Sequence, residues 1–212
     1  MTENRVIVVS APSGSGKGTV IRKLMSMRDD INLSVSYTTR PPREGEVEGT
    51  HYYFVSRDQF LAMVENDEFI EWDLYQNDYY GTSKEKIDRI LDAHKSVIFD
   101  ITIKGAYAIR DSFPHAALVF LLPPSFGELE RRLRRRGTES DAKIRGRLEE
   151  ARREIVSVKN FDYFIINDDL TGAAEQLESV YLAEKCRMRG EDAELIINHI
   201  CGGDCPPAAA SD

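Results

Sequence analysis

Residues Arg5-Val6-Ile7-Val8-Val9-Ser10 run straight into Ala11-Pro12-Ser13-Gly14-Ser15-Gly16-Lys17-Gly18-Thr19, and this join decides the fold. A β-branched run of this length reads as a strand buried on both faces of a parallel sheet. The glycines after it let the backbone turn so that successive N–H groups point at one anion. From about Gly18 to Met27 the pattern is helical, and the positive end of that helix faces the same anion. Lys17 adds a mobile point charge for terminal phosphates. Thr19 adds a hydroxyl for a phosphate or for the shell of a metal ion. The loop departs from the G-x-x-x-x-G-K-[ST] pattern twice: Ala11 stands at the first glycine, and Gly18 follows the lysine. Strand, glycines, lysine and helix still occur in the order that a nucleoside triphosphate site requires. The loop does not identify the acceptor.

Further along, apolar runs at Ser96–Ile101, Ala117–Leu122 and Asp162–Asn167 alternate with helical patterns, notably over 126–136 and 141–158. That alternation predicts a three-layer α/β fold with a mainly parallel sheet, whose ligands gather beyond the carboxyl ends of the strands. Asp100 ends one of these strands, where a carboxylate orients Mg²⁺, often through water. Residues 34–90 break the alternation and read as short strands plus a helix near 57–66, inserted into the parallel core. The expected division is therefore a core of 1–33 and 91–186, an inserted α+β subdomain of 34–90, and a flexible extension of 187–212. Within the core, the basic stretch from Glu130 to Ser140 and the helix after it read as a helical lid over about 126–150. Arg131, Arg134 and Arg135 suit a solvated face. Arg136, beside Gly137, and Arg147, on the following helix, suit guanidinium delivery to a transferring phosphoryl group.

Bulk properties narrow the class. In 212 residues, 28 Lys+Arg against 36 Asp+Glu give a net charge of −8, which opposes general binding of nucleic acid polymers. No apolar run approaches the roughly 20 residues that span a bilayer, and Met1-Thr2-Glu3-Asn4-Arg5 lacks the regions of a signal peptide. The three cysteines, Cys186, Cys201 and Cys205, leave the body of the chain without disulfides, so the cytoplasm is the expected compartment. With His199 they leave two readings open, zinc ligands at weak spacing or a mobile tail with reduced thiols.

Several further stretches carry a resemblance. They are Ser34-Val35-Ser36-Tyr37-Thr38-Thr39-Arg40-Pro41-Pro42-Arg43, Gly45-Glu46-Val47-Glu48-Gly49 and Tyr52-Tyr53-Phe54. Glu68-Phe69-Ile70-Glu71-Trp72, Tyr79-Tyr80-Gly81-Thr82, Arg136-Gly137-Thr138-Glu139 and Asn167-Asp168-Asp169-Leu170 complete the set. With the phosphate loop they make the chain, from about Arg5 to Lys185, resemble the guanylate kinases, P-loop enzymes that transfer the γ-phosphoryl of ATP to GMP or dGMP with Mg²⁺.

The resemblance implies a site residue by residue. Ala11 to Thr19 and Asn167 would hold ATP, with Asn167 near the adenine. Thr19 and Asp100 would serve Mg²⁺. Arg40, Arg43, Tyr52 and Tyr80 would hold the GMP phosphate, and Ser36, Glu71 and Thr82 would read guanine. Lys17, Arg40, Arg136 and Arg147 would act on the transferred group. Tyr53, Phe54, Phe69 and Trp72 read instead as core of the small subdomain. Thr102 departs from the pattern: the family usually has an Asp there that helps bind guanine, and a hydroxyl supplies no charged acceptor. Two rival functions follow, a related kinase with another phosphorylated acceptor such as a sugar phosphate, and an inactive phosphopeptide-binding module.

Overall fold

The computed structural model describes residues 4–75, 77–135, 140–188 and 190–201. The core opens with β1 (Val6–Ser10), α1 (Lys17–Met27) and β2 (Ile31–Leu33). A second group follows: β3 (Tyr37–Thr38), β4 (Tyr53–Phe54), α2 (Arg57–Glu65), β5 (Phe69–Tyr75), β6 (Asp78–Ser83) and α3 (Lys84–Asp92). The core resumes with β7 (Ser96–Asp100), α4 (Ile103–Ser112), β8 (Ala117–Leu122), α5 (Phe126–Arg135) and α6 (Asp141–Ile155). It ends with β9 (Tyr163–Ile166), α7 (Leu170–Lys185) and α8 (Gly190–Cys201).

Five strands form a parallel sheet in the order β2-β7-β1-β8-β9, with β1 in the middle. Every residue of β1 is buried, as a strand covered on both faces requires. Alternate side chains then feed two cores. Ile7 and Val9 pack with Val20, Leu24, Leu177 and Tyr181 of α1 and α7. Val6 and Val8 pack with Ile87, Ala106 and Ile109 of α3 and α4. Each fully buried aliphatic side chain of this kind contributes about 1.5–3 kcal/mol. The result is the three-layer α/β arrangement that the alternation predicts. β2, only three residues long, is too short for a period to announce it, and the parallel register Ile31–Ser96 is what makes it a strand.

The second sheet has the order β4-β3-β6-β5, with β5 and β6 antiparallel. The helix expected near 57–66 is α2, started by a capping box in which the Ser56 hydroxyl accepts from the Gln59 N–H and the Gln59 side chain accepts from the Ser56 N–H. Its aromatic core is Phe60 stacked on Phe69 at 4.5 Å. Trp72 does not belong to that core. It lies on the same face of the sheet, against Tyr79, but β5 is the edge strand and leaves it 44% exposed.

The helical patterns over 126–136 and 141–158 appear as α5 and α6, the second continuing into a 3₁₀ turn, Val156–Asn160. Leu129 and Leu133 of α5 pack on Ile144 and Ala151 of α6. α7 is tied to the start of the core by Asp30, which accepts from Arg28, Tyr181 and Lys185, and the Arg28 guanidinium leads in holding that carboxyl well below its usual range. In the extension, residues Gly190–Cys201 form α8, and Cys205 with the rest of 202–212 lies outside the described residues. Cys186 and Cys201 are free and exposed, and no group of three or more potential metal ligands occurs among the described residues.

Candidate active site

The phosphate loop leaves β1 and returns into α1 through Gly14 and Gly16, both left-handed with φ of 98° and 90°. Glycine is needed at each position for space as well as for φ. A Cβ on Gly14 would sit 2.8 Å from Leu133, and one on Gly16 would sit 2.5 Å from the Asn167 amide. Asn167 is buried, and its amide donates to Ser15 O at 2.7 Å. Arg132 donates to Ser15 O and to Asn167 O. Asn167, expected near an adenine, uses its amide nitrogen to hold the loop at Ser15. Arg132, which no sequence signal distinguished from its neighbours, does the same work from α5.

Lys17 Nζ donates to Ile101 O at 2.5 Å and pairs with Asp100 Oδ1 at 2.9 Å, at the carboxyl end of β7. Thr19 Oγ1 accepts from Arg22. From the other side of the loop, Arg147 Nη1 lies 3.5 Å from Ser13 Oγ. Glu154, also on α6, lies near the Ser13 backbone N–H, and burial raises its pKa. It was not foreseen, since a glutamate inside a charged helix carries no sequence signal. Arg136 lies outside the described residues.

Lys17, Asp100 and Thr102 also line a cavity of about 270 Å³ that extends to the second sheet. Its walls include Ser36, Arg40, Arg43, Tyr52, Glu71 and Tyr80, so nearly all the acceptor residues expected from the sequence meet in one space. At one end, Arg40 donates to Glu46 Oε1 at 2.8 Å, and the Arg43 N–H donates to Glu46 Oε2 at 2.7 Å. The Arg40 guanidinium holds the Glu46 carboxyl below its usual range and lies over the Tyr52 ring at 5.4 Å. Tyr52 and Tyr80 meet edge-on at 5.9 Å. Glu46 was missed as a site residue, although it follows the two arginines closely in sequence.

At the other end, the buried Thr82 hydroxyl donates to Glu71 Oε1 at 2.6 Å. A side chain on Gly105 of α4 would come within 3.2 Å of Glu71 Oε2, so the glycine lets the carboxylate seat against the helix start. Burial raises the Glu71 pKa, and the neighbouring Asp73 raises it further. Thr102 lines the cavity, but its hydroxyl accepts from the Gly105 N–H as the N-cap of α4.

The sequence model of the guanylate kinase family matches residues 3–184, well over half of the chain. The chain belongs to the guanylate kinase family. Among curated members it is 45% identical to the guanylate kinase of Carboxydothermus hydrogenoformans over 198 residues, covering 93% of this chain and 97% of that one. It is 43% identical to the guanylate kinase of Desulfitobacterium hafniense over 184 residues, covering 87% and 92%. The crystal structure of guanylate kinase from Anaplasma phagocytophilum superposes with a TM-score of 0.75 at 30% identity, covering 94% of this chain and 96% of that one. These matches agree with the three-layer α/β fold class.

Proposed function

We propose that this chain transfers the γ-phosphoryl of ATP to GMP, and to dGMP, giving ADP and GDP or dGDP. One observation carries the reading: a single cavity joins the Lys17–Asp100 end of the phosphate loop to an arginine–tyrosine cluster and to a buried carboxylate. Arg40 and Arg43, with the Tyr52 and Tyr80 hydroxyls, suit a phosphate monoester, because guanidinium forks match two phosphate oxygens. Glu71 suits guanine, whose N1–H and 2-amino group present parallel donors to one carboxylate. Adenine lacks that pair and would leave the carboxylate desolvated and unpaired. The free cysteines Cys186 and Cys201 favour a reducing compartment, the cytoplasm.

The chemistry needs no general base, since a GMP phosphate oxygen is already anionic at neutral pH. That oxygen attacks the γ-phosphorus, the bond from this phosphorus to the bridging oxygen breaks, and its electron pair leaves on the β-phosphate of ADP. Lys17 leaves Asp100 and the Ile101 carbonyl to follow the charge that develops on the transferred group, and Arg147 supports it from α6. Asp100 fits Mg²⁺: its Oδ2 faces Gly18 at the mouth of the loop, and one protein carboxylate with substrate phosphates and water is the usual magnesium set. Thr19 would add its hydroxyl. A magnesium ion held by these residues would supply charge neutralisation for the triphosphate.

A coupled assay with ATP and each of GMP, dGMP, AMP and IMP tests the reading. Turnover with GMP and dGMP and none with AMP is expected, and a preference for AMP or for a sugar phosphate would remove it. Arg40→Lys should raise the KM for GMP by roughly 10- to 100-fold, because an ammonium cannot reproduce the fork and bonds to charged groups contribute about 1.5–3 kcal/mol. The KM for ATP should stay near wild type. A change confined to ATP would move Arg40 to the donor side.

A further inference from the structure

We propose that Asp73 is a second acidic acceptor of the base subsite, taking a hydrogen bond from the exocyclic 2-amino group of guanine and so setting the preference for GMP over IMP. This rests on the reading of the cavity as a GMP site. Strand geometry places the residue. On β5 the side chains of Glu71, Asp73 and Tyr75 share a face, opposite Thr82, Tyr80 and Asp78 of β6, and all three line the cavity. Trp72 and Leu74, between them, are exposed on the other face.

One carboxylate cannot face every donor of guanine: Glu71 can take N1–H and the amino hydrogen beside it, and the second amino hydrogen points away. N1–H and the two amino hydrogens make three donors, and Glu71 Oε1 already accepts from Thr82. Across the cavity, the Thr102 hydroxyl is committed to the Gly105 N–H and brings no charge. An amino hydrogen buried without an acceptor costs about 1–3 kcal/mol. Residues two apart on a strand are about 6.6 Å apart along the chain. An amino nitrogen reaching about 2.9 Å to an oxygen on each side spans nearly that gap. Glu71 and Asp73 can therefore take one amino hydrogen each.

Asp73 is also held ready. Its Oδ1 pairs with Lys104 Nζ of α4 at 2.7 Å and accepts the Leu74 N–H at 3.0 Å, while Oδ2 has no hydrogen-bond partner among the described residues. Lys104 is largely exposed, with 72% of its side chain open to solvent, so this ion pair adds little to stability and serves to orient the carboxylate. Burial leads in raising the Glu71 pKa, and the added effect of Asp73 agrees with two carboxylates facing one ligand.

The test compares wild type with Asp73→Ala and Asp73→Asn, using GMP, dGMP and IMP as acceptors and ATP as donor. IMP lacks only the 2-amino group. Both variants should raise the KM for GMP and dGMP roughly tenfold or more, and the KM values for IMP and ATP should stay within about twofold of wild type. The GMP-over-IMP preference then falls by the same roughly tenfold. Unchanged IMP and ATP kinetics also verify the fold. An equal loss with all three acceptors would make Asp73 a latch between β5 and α4. A loss with GMP and IMP that spares dGMP would move it to the ribose. Either result overturns the assignment. A wild-type protein inactive with GMP would instead remove the underlying site reading.

Discussion

Lys17→Ala is expected to lower kcat by about 10²–10³-fold or more while leaving the fold and the KM for GMP nearly unchanged. The size follows from where the charge acts. Lys17 Nζ rests on Asp100 and the Ile101 carbonyl, at the boundary between the phosphate loop and the acceptor cavity. Charge moves across that boundary during transfer. A fixed cation placed where negative charge develops lowers the barrier, whereas the same cation contributes little to holding GMP, whose phosphate is proposed to sit at Arg40 and Arg43. The fold should survive, because the lysine stem leaves no core cavity and Asp100 stays partly open to water. Single-turnover kinetics with saturating ATP read the chemical step directly. Near-normal turnover in a folded Lys17→Ala protein would exclude phosphoryl transfer at this loop.

Glu71→Gln is expected to raise the KM for GMP by about 10²–10⁴-fold, since two bonds to a charged acceptor of about 1.5–3 kcal/mol each are lost and an amide donor meets guanine donors instead. Turnover at saturating GMP and the KM for ATP should change far less. The same substitution has a signature in stability. Burial raises the Glu71 pKa, so between its ordinary value and that raised value the folded state holds a proton that the unfolded state has released. Stability therefore falls as pH rises through this window, and the cost remains at higher pH. Glu71→Gln removes it. The variant should melt above wild type at neutral pH, with the gap closing as pH drops below the ordinary carboxylate range. Melting curves that differ by a constant amount at every pH would contradict a buried, ionised Glu71.

Much of this was legible residue by residue. Val6 to Val9 read as a doubly covered strand, because four consecutive β-branched residues leave no polar face to meet water. The helix near 57–66 was legible as α2, and the structure shows that a capping box of Ser56 and Gln59 starts it. Arg40, Arg43, Tyr52, Glu71 and Tyr80 were recognisable because their neighbours repeat a family pattern, and the structure gathers them around one cavity. Trp72 was misplaced in the core. β5 is the edge strand, and only the tertiary packing decides how far its core face is covered.

By itself, then, the sequence determined what depends on neighbours in the chain: strand and helix periods, the glycine loop and the family. The tertiary structure decided what depends on residues far apart. Asn167 is found under the loop at Ser15, 152 positions away, only because β9 lies beside β8. Asp73 meets Lys104 only because β5 packs against α4. The Thr102 hydroxyl caps α4 through the Gly105 N–H while still lining the cavity, a double placement that the packing of α4 against β5 creates. Local geometry fixes which groups a chain offers. Only the packing of elements brings together groups whose separation in sequence carries no periodic signal.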